Sequence, residues 1–315
     1  MRKFLLKIFF FVCPIVLAAY IADNIVTRGM RESQNGTVKV WNDIFEGKLN
    51  SDVLVYGSSR ALNHVDPLIL TDSLQQSVYN LGLSGHNFLM VKCRHDLAMK
   101  YNRVPKTIIV SIDLFLLDKR KDLFEYKYIA PFLNDPIVNK ATRAYKGFDI
   151  FDYNLPLVRY IGYTKEIKGA IKYLVTGAKE KETVDRNGYS PHPENWNGEF
   201  DRLKNTMGKY KASMDTGTVR IFGEFLDEAH NKGINVILVY TPEYYEANAF
   251  VENKAEVMNV FTSFAQKYKL PLLDYSDDTL CRDKKYFYNA EHLNITGATL
   301  FSKRLAHDIK VLGLH

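Results

Sequence analysis

The spacing of apolar positions changes character along this chain, and each change predicts a different element. From Phe4 to Ala22 the residues are apolar apart from Lys7, with no amphipathic period. Nineteen such residues come close to the ~20 needed to cross a bilayer as a helix, while the unbroken part, Ile8 to Ala22, would also suit a signal-peptide core. Bulky Tyr20 and Ile21 leave no clean small-x-small cleavage pattern after it, so an uncleaved anchor over residues 1–27 is the expectation. Arg2, Lys3 and Lys7 on its N-terminal side place that end in the cytosol and the remainder in the periplasm or outside the cell.

Beyond a polar connector, Val38, Val40, Trp41 and Ile44 read as a helix, and then the apolar runs become short. Asp52–Tyr56, Ser77–Leu81, Thr107–Ile112, Ile234–Tyr240 and Leu270–Asp274 are each followed by a turn or polar residue. Brief, near-continuous apolar runs fit parallel strands buried on both faces. Helical patterns over 87–100, 218–231 (capped by Gly233), 248–268 and 296–311 alternate with them, which predicts an α/β domain with a parallel five-stranded sheet covered on both faces. Between about 114 and 216 the alternation stops. That stretch is rich in aromatics and turns and reads as a helical and loop insertion in one α/β domain spanning 28–315.

Composition narrows the class only a little. The chain has 315 residues, 46% hydrophobic and 25% charged, as globular proteins do. Its 42 basic and 36 acidic residues give a net charge of +6, but the excess is dispersed and interleaved with acids, so no nucleic-acid partner is implied. Cys13, Cys93 and Cys281 form no CxxC pair, so neither a zinc site nor a disulfide framework is indicated. No Walker loop, dinucleotide glycine pattern or HExxH motif occurs, and no cofactor or metal is expected.

Candidate chemistry lies just after the apolar runs, where open α/β sheets bind ligands. The first run leads into Gly57-Ser58-Ser59-Arg60, the second into Gly82-Leu-Ser84-Gly85-His86-Asn87, and Asn289-Ala-Glu291-His292-Leu-Asn294 lies near the C-terminus. A serine hydroxyl needs a base within hydrogen-bond reach and donors for the oxyanion it creates. A glycine-flanked serine, a glycine-rich turn and a distant histidine provide those parts.

In these blocks the chain resembles the SGNH/GDSL hydrolase superfamily, over most of 50–120 and 215–312. The resemblance implies a flavodoxin-like three-layer sandwich. It makes Ser59 the nucleophile and His292 the base, with backbone N–H groups of Ser59 and Gly85 in the oxyanion hole. Three departures accompany it. Ser58 stands where aspartate is usual, as in the membrane-anchored branch of D-alanyl-transfer and exopolysaccharide-acetylation proteins. Ser111-Ile-Asp113 lacks the asparagine of the third block, so Asn87 becomes the candidate for the missing donor. Asn289 replaces the aspartate that orients the histidine, leaving Glu291 or Asp274 as possible carboxylate substitutes.

Two functions follow. One is a membrane-anchored, outward-facing serine O-acyl esterase or acyltransferase of cell-envelope or extracellular polysaccharide. Arg60, Tyr189, His192 and Trp196 are its candidate substrate contacts, since aromatic faces stack on sugar rings. The other is a catalytically weak accessory subunit serving a polytopic membrane acyltransferase.

Overall fold

The computed structural model describes residues 1–32, 36–177, 186–206 and 208–313. After α1 (Arg2–Glu32) and α2 (Gly36–Phe45), the chain enters β1 (Val53–Gly57). It passes through α3 (Ser59–His64) and α4 (Pro67–Leu74) to β2 (Val78–Asn80), then through α5 (Phe88–Tyr101) to β3 (Thr107–Ile112). The helices α6 (Pro136–Thr142), α7 (Ile150–Asn154) and α8 (Thr164–Thr176) follow. Then come α9 (Glu199–Leu203), α10 (Thr216–Asn231), β4 (Asn235–Tyr240), α11 (Lys254–Tyr268), β5 (Leu272–Asp274) and α12 (Ile295–Val311).

The chain forms two compact units, Met1–Asn42 with Lys121–Val184, and Asp43–Arg120 with Asp185–His315. The second holds the sheet, in the order β2-β1-β3-β4-β5 with every neighbouring pair parallel. This is the flavodoxin-like order, and its direction of winding reverses between β1 and β3. Side chains alternate between faces along each strand. Val53, Val55, Ile109, Ile237 and Val239 share a core with Leu70 and Leu74 of α4 and Phe301, Leu305 and Ile309 of α12. On the opposite face Tyr56 meets Phe225 of α10 and His95 of α5. Both faces are covered along β1 to β4, which is why those strands read as unbroken apolar runs, whereas the edge strand β5 is only half-buried.

Two features of this unit differ from the sequence pattern. Helices α3 and α4 occupy the β1–β2 crossover, where no helix was legible, because Ser58 and Asp66 cap two short segments. Helix α11 begins at Lys254 rather than near 248, because the Asn253 side chain pairs with the backbone N–H and carbonyl of Ala212 and residues 247–250 form a separate 3-10 turn.

In the first unit α1 is one helix long and apolar enough to cross a membrane. It continues past the apolar run, and its last turns are buried at Asp23, Val26, Gly29 and Met30. Arg159 forms a buried ion pair with Asp23, the N–H of Leu157 donates to Asp23 at 2.8 Å, and the Thr27 and Tyr160 hydroxyls lie 2.6 Å apart. Gly29 has the Ala170 backbone of α8 against it, where an added Cβ would lie 2.9 Å from the carbonyl oxygen. Trp41, fully buried, stacks on Phe132 at 5.6 Å.

Candidate active site

The site forms at the winding reversal, where β1 and β3 end. Gly57 closes β1 at φ +145°, and an added Cβ there would lie 2.6 Å from the Ser111 carbonyl oxygen of β3, so the turn into α3 requires glycine. Ser58 caps α3, its hydroxyl accepting from the Arg60 N–H at 3.3 Å and donating to Asp113 Oδ2 at 2.5 Å. Ser59 is therefore the first residue of the helix, where a backbone N–H has no partner within the helix.

Asn80 ends β2 and steers both neighbouring loops. Its amide donates to the Ala61 and Val65 carbonyls, each at 2.8 Å, and its oxygen accepts from Gly82 N–H at 2.9 Å. The following turn reaches Gly85 in the left-handed region at φ +73°. The 289–293 loop is held by a second histidine. Buried His64 accepts the Leu293 N–H on Nε2 at 3.0 Å, so its proton is on Nδ1, which donates to Thr241 Oγ1 at 2.9 Å.

These elements bring Ser59 and His292 together, with Ser59 Oγ 2.7 Å from His292 Nε2. Nδ1 of the same ring lies 3.0 Å from Asn289 Oδ1. The identity of that atom follows from its other neighbours, because the N–H groups of Glu291 and His292 also point at it, at 3.0 and 2.8 Å. Only an oxygen accepts from two backbone donors, so Nδ1 must carry the ring proton and Nε2 must be the acceptor for the Ser59 hydroxyl. Burial, followed by His192 and Arg60, holds His292 down at about 4, from an ordinary value of 6.5. The ring is neutral at neutral pH, which is the state a general base needs.

The cleft beside this pair is lined by Ser58, Ser59, Gly85, Asp113, Arg120 and Tyr210, with Glu243 and Glu291 on its wall. Among the described residues, neither the Ser59 nor the Gly85 N–H donates to a protein acceptor. Glu291 does not touch the imidazole, whose acceptor is Asn289. Its carboxyl is raised chiefly by desolvation at the cleft wall. Asp274 is also not the orienting group, as its carboxylate accepts from Ser276 N–H at 2.9 Å.

Of the other expected site residues, Arg60 reaches the cleft lining and the rest lie outside it. The Asn87 amide donates to the Asp118 carbonyl at 2.7 Å, tying the start of α5 to the loop after β3 rather than facing Ser59. Arg60 is buried between Glu243 (3.1 Å), Thr241 Oγ1 (3.1 Å) and the face of Tyr240 (4.5 Å), so it braces α3 against the end of β4. Tyr189 is packed in the core with Leu70 and Phe200 and has no free ring face. His192 stacks on Tyr288 at 4.4 Å, with its ring centre 5.7 Å from that of His292. Trp196 packs edge-on to Tyr244 at 5.0 Å and donates to Asp201 at 2.7 Å. His192 and Trp196 stand outside the cleft lining. Sequence reasoning missed His64, since a lone polar residue in an apolar neighbourhood gives no local signal of what it will hold. Cys93 and Cys281 are buried and unbridged.

No family model matches the chain, and no curated protein matches it. Among solved structures it is similar to a putative acylhydrolase from Bacteroides fragilis, at 14% identity and TM-score 0.38, covering 84% of this chain and 88% of that one. It is also similar to a structure described as a putative platelet activating factor from Streptococcus pneumoniae, at 11% identity and TM-score 0.43, covering 89% and 91%. A GDSL-like lipase from Bacteroides thetaiotaomicron aligns at 11% identity and TM-score 0.36, covering 81% and 87%.

Proposed function

We propose that this chain is a serine-dependent O-acyl esterase or acyltransferase, anchored by α1 and facing outward to act on cell-envelope or extracellular polysaccharide. The observation that carries the chemistry is the 2.7 Å contact of Ser59 Oγ with the unprotonated nitrogen of His292. In this reading Ser59 Oγ attacks the acyl carbonyl as its proton passes to His292 Nε2. The N–H groups of Ser59 and Gly85 receive the oxyanion, and the imidazolium returns its proton to the departing alkoxide. A water or a sugar hydroxyl then takes the acyl group by the reverse path. The long apolar N-terminal helix and the lysines and arginine before its apolar core support the anchored, outward orientation, and the resemblance to the membrane-anchored SGNH branch supports the polysaccharide substrate.

Asn289 gives the site a particular character. It holds the correct tautomer, but as a neutral amide it cannot stabilise the imidazolium formed during attack. Slow chemistry follows, which suits a transferase working beside a polytopic acyltransferase better than a fast esterase.

The test is labelling of the full-length chain in detergent with a fluorophosphonate probe, against Ser59→Ala and His292→Ala. Labelling of the parent chain that disappears in both variants is the expected result. A folded parent chain that does not label would overturn serine catalysis and leave the accessory-subunit reading.

A further inference from the structure

The apolar run of α1 ends at Ala22, and the next residue, Asp23, is the one gripped by the 155–161 segment. The nineteen residues from Phe4 to Ala22, apolar apart from Lys7, rise about 28 Å at ~1.5 Å each, close to the ~30 Å hydrocarbon thickness, and the headgroup layer beyond it is roughly 5–8 Å deep. Leu157, Arg159 and Tyr160 hold α1 between Asp23 and Thr27, a rise of about 6 Å. In a chain anchored by α1, the reading on which this inference rests, that clamp occupies the headgroup layer.

The clamp carries side chains that are costly in water. Ile150 and Phe151 of α7 are each 57% exposed, Leu155 48% and Ile161 76%. Four large apolar residues are thus left open within twelve positions beside the clamp, where burial of such side chains calls for an interaction surface. On the adjoining α8, Lys165, Lys168 and Lys172 recur at helical spacing and are exposed, as they would be opposite anionic headgroups. α8 is itself fixed to α1 through Ala170 against Gly29.

We propose that Ile150, Phe151, Leu155 and Ile161, flanked by the α8 lysines, form a collar around the exit of α1 that inserts into the headgroup and upper acyl region of an anionic bilayer. The collar seats the first unit on the membrane surface.

The experiment uses the full-length chain in vesicles of phosphatidylcholine and phosphatidylglycerol. A nitrobenzoxadiazole label is placed on Ile161→Cys or Phe151→Cys in a Cys13→Ser background, Cys93 and Cys281 being buried. The parent chain labelled at Cys13 reports the span itself. The collar predicts that doxyl-labelled lipid removes about half the emission at 161 and 151, while aqueous iodide removes little. Iodide quenching at both positions, with Cys13 still quenched by doxyl lipid, would overturn the collar and leave the anchor standing. Protection from both quenchers would assign the patch to a protein partner and equally overturn it. Absence of doxyl quenching at Cys13 would remove the anchor, and the collar with it.

Discussion

At the scale of single residues, Asn289 decides how this site works. Replacing a triad aspartate by asparagine usually fails because the amide can present the wrong group to the histidine and lock the wrong tautomer. Here the N–H groups of Glu291 and His292 claim the amide oxygen first, so only the electrostatic part of the loss remains. Asn289→Asp should therefore accelerate fluorophosphonate labelling by about ten- to a hundredfold, part of the ~10⁴ seen for a full triad, and a slower or unchanged rate would count against the assignment. The same geometry fixes a pH dependence. His292 must be neutral to act, and its value lies near 4, so the labelling rate should hold from pH 8 down to about 5 and fall by half near 4. Asn289→Asp adds a charge that favours the imidazolium, so its acid limb should move upward. A parent-chain limb near 6.5 would mean that the ring is not desolvated as described.

At the scale of elements, what matters is how α3 is braced. Arg60 and Glu243 are both buried, and taking away one partner leaves the other as an uncompensated charge. Glu243→Gln should lower unfolding stability by about 3–5 kcal/mol, whereas joint replacement by Arg60→Met and Glu243→Leu should cost much less; denaturant midpoints would show the difference. In the first unit, Gly29→Val should force α1 from α8 at a cost of about 1–3 kcal/mol, read as faster amide exchange in both helices. The strands and long helices were legible at this scale because their apolar periods are set locally. Helices α3 and α4 were not, since six- and eight-residue segments are too short to show a period and exist through their caps and burial.

At the scale of the whole molecule, four histidines share one behaviour. His64, His95, His192 and His292 all lie below 6.5, desolvation being the main cause. A histidine held neutral in the fold gains a proton on unfolding at any pH below 6.5, so its contribution is complete above that value and is lost as the pH falls toward the folded-state value. Stability should drop as the pH falls below 6.5, by up to about 1.4 kcal/mol per pH unit for each such group, and urea midpoints at pH 7.5 and 5 would test it. Equal midpoints would contradict the burial of these rings. The amino-acid sequence by itself determined the apolar anchor candidate, the α/β class, and the serine, glycine and histidine blocks at the strand ends, because each is written in neighbouring residues. The sheet order and the meeting of Ser59 with a histidine 233 positions away were implied by a resemblance, and only folding made them a geometry. Tertiary structure alone decided that Asn289 rather than Glu291 meets the ring, that Arg60 is tied to Glu243 and Thr241 while Tyr189 sits in the core, and that His64 holds the 289–293 loop. Those outcomes depend on which polar groups find partners once water is excluded, and no local pattern encodes that competition.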